Sequence, residues 1–285
     1  MTIKRQLIKR LNLSKLLWPM LANGLYCFNF HRIGNWQDTH FDPCVFSCDA
    51  DNFRQYIIFL KNNFRIITLD ELAKIIDNDN PITEKLALLT FDDGYADNYH
   101  IAYPILSSLN LSATFFITTS LVDSNIISWW DEIAWHVRQC AGKTIKLTNW
   151  QQGIDIDMPA SQQNIRKVLQ QVKARPSTID LQLEEFRNLS ETPVPDELKN
   201  NIFMSWQQLV EMSANKMSIG GHSHTHRIFS CLTASELNFE LEESKKLLEL
   251  HLQKPINSLS YPVGGAATYN RNMFDTILAK GYKLG

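Results

Sequence analysis

The chain has 285 residues, of which 44% are hydrophobic and 20% charged, with 15 Phe, 8 Tyr and 7 Trp. That is ample apolar material for a large core, so a disordered chain, a collagen-like repeat and a small disulfide scaffold are excluded. A net charge of −2, from 28 Lys and Arg against 30 Asp and Glu, leaves no global field for nucleic acid, and neither a basic stripe nor an aromatic-interleaved basic motif is present. The five cysteines are odd in number and form no Cys-x-x-Cys pair, as expected of plain thiols in a reduced, cytoplasmic setting.

Taken in chain order, residues 1–24 place Lys4, Arg5, Lys9, Arg10 and Lys15 among apolar residues at helical spacing, such as Ile3, Leu7 and Leu11. They read as a basic amphipathic extension, either a helix packed on the domain or one that touches the anionic face of the inner membrane through residues 1–20. Pro19, Asn23 and Gly24 interrupt the apolar stretch, against a membrane span or a cleaved leader.

Residues 25–285 alternate short apolar runs with helical patterns. Strands are predicted at 25–30, 64–67, 86–91 and 113–118. Helices are predicted at 51–62, at 68–77 behind a capping box of Thr68 and Glu71, and at 98–109. The rhythm breaks after Asp123. Residues 125–202 hold a Trp-rich helix (Trp129, Trp130, Trp135) and two polar helical stretches, and read as a mainly helical insertion, a lid or a specificity element. Ser205 with Gln208, and Thr233 with Glu236, then open two more helices. Strands at 217–220 and 257–261 and a helix at 269–280 restore the pattern. Repeated βα units favour a parallel sheet or an α/β barrel.

Two polar clusters follow predicted strands, where α/β barrels carry their chemistry. The first is Thr90 to Tyr95, TFDDGY. Adjacent carboxylates at the end of a buried strand repel one another and call for a cation or hydrogen-bond donors, although Asp-Gly also suits a plain turn. The second is Gly220 to His226, GGHSHTH. His222 and His226 are four apart, so on one helical turn both imidazoles face the same way and can share a metal, with the two glycines allowing close backbone approach. A surface histidine run is the plain alternative.

Taken together, two imidazoles and one carboxylate supply three ligands and leave a position open, the composition of a hydrolytic site for Zn²⁺ or a similar ion. The second aspartate is then free to act as a base on a metal-held water whose pKa falls towards about 7. His224, between the two ligands, is expected to point away.

The segments TFDDGY (90–95), HSHTH (222–226) and YPVG (261–264) resemble the polysaccharide deacetylase (NodB-homology) family of carbohydrate esterases. The framing segments Phe30-His31-Arg32-Ile33, Phe53 to Leu60 and Trp206 to Met212 are similar to that family as well, so that the likeness covers about residues 25–124 and 203–285. The resemblance implies a distorted (β/α) barrel with fewer than eight strands. It implies Asp92 as general base, and Asp93, His222 and His226 as ligands of one divalent ion, Zn²⁺ first, with Co²⁺, Ni²⁺ or Mn²⁺ as alternatives. Tyr261, Pro262, Val263 and Gly264 correspond to the substrate and oxyanion segment, with the Val263 N–H as donor. The implied reaction is hydrolysis of an N-acetyl, less often O-acetyl, group on a polysaccharide, a glycan precursor or a lipid-linked sugar.

Two departures stand out: Ser260 occupies a position where many members have Arg, and Val263 one where many have an aromatic residue. The family's closing strands, with a Leu-x-x-His motif whose histidine protonates the leaving amine, have no counterpart before Gly285, so the barrel is expected to lack its last strands. His251 is misplaced in motif order. A metal-containing glycan-binding protein, or a truncated enzyme, is the second expectation.

Overall fold

The computed structural model describes residues 20–285; of the basic extension expected over 1–24, residues 1–19 lie outside the described residues. In chain order come β1 (Gly24–Phe30), β2 (Arg32–Ile33), β3 (Phe46–Cys48), α1 (Ala50–Asn63), β4 (Arg65–Ile66), α2 (Leu69–Asp77) and β5 (Lys85–Phe91). The helix predicted over 98–109 divides into a π-helical turn, Asn98–Ala102, and α3 (Tyr103–Ser108), followed by β6 (Thr114–Ile117). The Thr68–Glu71 capping box forms as expected at the start of α2.

The apolar run of β5 is buried on both faces because it is the central strand. It pairs in parallel with β1 along its length, Gly24 opposite Lys85 and Phe30 opposite Phe91. On its other edge it takes β4 at Leu86 and Ala87, and β6 at Thr90 and Phe91.

The stretch expected to be an insertion forms α4 (Trp129–Gln139), a small antiparallel pair β7 (Thr144–Ile145) and β8 (Ile154–Asp155), α5 (Gln162–Lys173) and α6 (Ile179–Ser190). The main chain then returns through α7 (Trp206–Ala214), β9 (Ser218–Gly221), α8 (Ala234–Leu252) and α9 (Phe274–Ala279). Strand β9 pairs with β6 in parallel. Parallel bridges from Gly221 to Leu259 and from Ser258 to Leu284 extend the sheet further. Leu25, Cys27 and Asn29 at one end of this sheet and Leu284 at the other line a single cavity of about 770 Å³, so the sheet curls around it. Among the described residues no helix is long and apolar enough to cross a membrane.

Two large hydrophobic clusters hold the structure, beside a small one of Ile67, Leu72, Leu86 and Leu88. The larger packs α1, α3, α7 and α8 on the sheet, with Phe91 stacked between Phe30 (ring centroids 5.2 Å) and Phe115 (4.6 Å). The second lies within the 125–202 stretch but also includes Phe41, Tyr95, Leu121, Phe203 and Ile228 from outside it.

At their junction Asp131 is fully buried. Its carboxylate accepts hydrogen bonds from the Tyr95 hydroxyl at 2.8 Å, the Ser128 hydroxyl at 2.9 Å and the Asp42 N–H at 3.0 Å. Burial pushes this carboxyl up to about 6, against the opposing charge of Arg32. A carboxyl that titrates higher folded than unfolded, where it lies near about 3.9, stabilises the fold when protonated, and that contribution disappears as the pH rises through about 6. Metal-free protein should therefore gain about 1 kcal/mol between pH 7 and pH 5 that Asp131→Asn does not gain. Denaturant unfolding of both proteins at the two pH values measures this, and equal gains would show an ordinary carboxyl.

Candidate active site

The end of β5 is held rigidly, because the Phe91 ring is stacked on both sides and the Asp92 N–H donates to the Phe30 carbonyl at 3.0 Å. The chain then turns through positive φ at Asp93 (76°) and Gly94 (91°). For Asp93 this conformation costs on the order of 1 kcal/mol or more, and it separates the two carboxylates. Asp92 Oδ2 accepts from Asn29 Nδ2 at 2.8 Å, while Asp93 Oδ1 faces the Nε2 atoms of His222 at 3.4 Å and His226 at 3.3 Å.

The two histidines meet Asp93 in a different way from the one expected. Residues 222–228 are a loop and not a helical turn, with Ser223 at φ 64° and His226 at φ 60°. The His226 N–H donates to the Ser223 hydroxyl at 2.8 Å. The buried Glu240 carboxylate on α8 collects the His224 and Thr225 N–H groups, both at 2.8 Å, and the Thr225 hydroxyl. His224 turns away from the site, as expected, onto Thr119 and Phe239. The preceding glycines also serve another purpose than backbone approach to the site. A Cβ on Gly220 would lie 2.6 Å from the Phe116 ring and the Ser258 hydroxyl, and one on Gly221 would lie 2.9 Å from the Tyr282 hydroxyl, so both make room for side chains packed across the sheet.

The donor atoms of Asp93, His222 and His226 all lie within 4.8 Å of one another, and all three residues are buried. Tetrahedral ligands on bonds of about 2.0–2.1 Å sit roughly 3.3–3.4 Å apart, which matches the separations of 3.4 and 3.3 Å from Asp93 to the two imidazoles, so this set fits a zinc-like ion. Burial alone would raise the Asp93 carboxyl, but the two imidazoles hold it well below the usual carboxylate range. Burial keeps His226 below the ordinary histidine value, ready to ligate as a neutral ring. In His222 burial is outweighed by Asp92 and Asp93, which raise it. Its Nδ1 lies 2.9 Å from the Ser260 carbonyl, the usual outer partner of a ligating histidine.

The family described as polysaccharide deacetylase matches residues 79–285. The chain belongs to that family. It is 23% identical over 224 residues, 79% of the chain and 52% of the relative, to a Bacillus subtilis (strain 168) protein, YxkH, named as a candidate polysaccharide deacetylase. It is 27% identical over 108 residues, 38% of the chain and 15% of the relative, to the poly-β-1,6-N-acetyl-D-glucosamine N-deacetylase of Escherichia coli (strain K12). The chain thus spans about half or less of the length of these curated relatives. Its fold is similar to that of the Streptococcus pyogenes deacetylase PplD, solved in complex with acetate, with a TM-score of 0.57 and 18% identity over 92% of this chain and 82% of that one.

The cavity of this family member is lined by Asp92, Asp93, His222, His226, Tyr261, Val263 and Gly264, with Pro262 buried behind them. Val263 has φ 68°, a genuine outlier for a β-branched residue. Its N–H meets no acceptor among the described residues. Two cavity residues have no role in the motif reading, although one of them, His31, lies in the framing segment Phe30 to Ile33. Asn29 on β1 fixes Asp92, its own amide oxygen accepting from the Thr90 hydroxyl at 3.0 Å. His31 lies just past β1 in the same cavity, close enough for its charge to act on Asp93. Its backbone is tied to Ser47 and Asn98, while its imidazole has no hydrogen-bond partner among the described residues. His251, set aside in the sequence, stacks on Trp206 with 4.0 Å between ring centroids.

Proposed function

We propose that the protein is a metal-dependent hydrolase that removes the acetyl group from an N-acetylated sugar of a polysaccharide or glycan precursor. The observation that carries this reading is the convergence of Asp93, His222 and His226 on one point, beside a second carboxylate, Asp92, that is fixed by another partner. When bound, the divalent ion supplies Lewis-acid polarisation of the acetyl carbonyl and lowers the pKa of a water molecule. Asp92 accepts the proton of the attacking water, since Asn29 aims it into the cavity. The Val263 N–H donates to the carbonyl oxygen as negative charge develops there.

His31 gives its proton to the departing amine nitrogen, so that the products are acetate and a free amino sugar. Asp92 and His31 in one cavity with the ligands favour an enzyme over a glycan-binding protein, which needs neither.

The name of the E. coli relative makes β-1,6-linked N-acetylglucosamine oligomers the first substrate to test. All five cysteines are unpaired thiols, which suits action on precursors in the cytoplasm, at the inner membrane if residues 1–20 touch it. Acetate release is expected from an N-acetylated oligosaccharide panel, to cease with a chelator and to return with Zn²⁺. Binding of these oligomers without any acetate release would establish the glycan-binding alternative.

A further inference from the structure

The two histidines of the site are held by different means. His222 is oriented in the usual way, through Nδ1 and the Ser260 carbonyl. His226 Nδ1 is buried and has no hydrogen-bond partner among the described residues. A half-turn of that ring about its Cβ–Cγ bond would break no hydrogen bond made through Nδ1, yet it would carry Nε2 away from Asp93. Besides the Nε2 contact with Asp93 at 3.3 Å, packing opposes such a turn, from the His222 ring at 4.9 Å and, on another side, from the 125–202 stretch. The Trp130 ring lies 4.3 Å from the His226 ring, centroid to centroid, inclined at 52°, with Trp129 at 6.5 Å.

Trp130 is itself pinned. Its indole N–H donates to the Tyr95 hydroxyl at 2.7 Å, and that hydroxyl donates to Asp131, the next residue on α4, at 2.8 Å. Tyr95 is clamped in turn between the Phe203 ring at 4.7 Å and the Arg32 guanidinium at 4.6 Å. Both ends of this chain begin at the site: Tyr95 is two residues from Asp93, and Trp130 ends on His226.

We propose that Trp130 is a positioning residue that fixes His226 as a ligand, so that the insertion completes the metal site. The idea rests on the hydrolytic reading given above. It removes the puzzle of a ligating histidine without an outer hydrogen bond, because a buried aromatic wall held by Tyr95 and Asp131 does the same work.

The test measures Zn²⁺ affinity by competition with a chromophoric chelator, together with the visible spectrum of the Co²⁺ form. Trp130→Leu keeps bulk but loses the ring, and should weaken Zn²⁺ binding about 10- to 100-fold, the usual effect of losing an outer-shell partner, with an altered Co²⁺ spectrum. Trp130→Phe keeps an aromatic wall and should restore most of the affinity. Unfolding of each variant in chelator separates misfolding from site loosening. Parent-like Zn²⁺ affinity and Co²⁺ spectrum in folded Trp130→Leu would overturn the proposal and leave the hydrolase reading intact. A parent protein that binds no divalent ion would overturn both.

Discussion

Asp92→Asn is expected to bind its divalent ion within a few-fold of the parent and to deacetylate about 10²- to 10⁴-fold more slowly, the usual cost of losing a general base. Asparagine keeps the shape and can still accept from Asn29, which already occupies one oxygen of the native carboxylate at 2.8 Å. It cannot take up a proton. His222→Ala should behave in the opposite order, losing the ion first and activity as a consequence, because one imidazole and one carboxylate no longer make a three-ligand site. Metal analysis of dialysed protein, paired with an acetate-release assay, separates the two. Finding Asp92→Asn stripped of metal would mean that the adjacent aspartates have exchanged roles.

The second large effect concerns His31. An amine is a poor leaving group unless it is protonated, whereas a phenolate departs without help. His31→Ala should therefore slow N-deacetylation about 10²- to 10⁴-fold while leaving hydrolysis of an aryl acetate ester nearly unchanged. Equal losses on both substrates would point to damage to the site as a whole and remove His31 from the proton-donor role.

The parts of this site that could be read from the sequence are those whose chemistry is local. TFDDGY closes an apolar run that must be a buried strand, and the two histidines lie four residues apart, so strand end, carboxylate pair and imidazole pair are all visible in short windows. Three capping boxes, at Thr68, Ser205 and Thr233, were legible for the same reason. Asn29 and His31 were not, because they reach Asp92 and Asp93 only through the parallel pairing of β1 with β5, about 60 positions away in sequence. Trp130 reads as core in any pattern analysis, and it is core; its contact with His226 depends on how α4 docks.

The helical turn expected at His222–His226 failed for a different reason. Spacing of four suits a helix and also suits a loop, and the loop is set by positive φ at Ser223 and His226, neither of them the glycine that would have signalled it.

The hydrophobic cluster built around residues 125–202 draws Phe41, Tyr95, Leu121, Phe203 and Ile228 from the rest of the chain. Residues 125–202 are therefore no detachable module. Cutting them out would strip the cover from these five residues and leave an oily scar beside the candidate site, and the excised piece would in turn be missing part of its own interior. A relative can gain or lose such a segment only by changing residues on both sides of the join, so the barrel and its attachment have to evolve as one object.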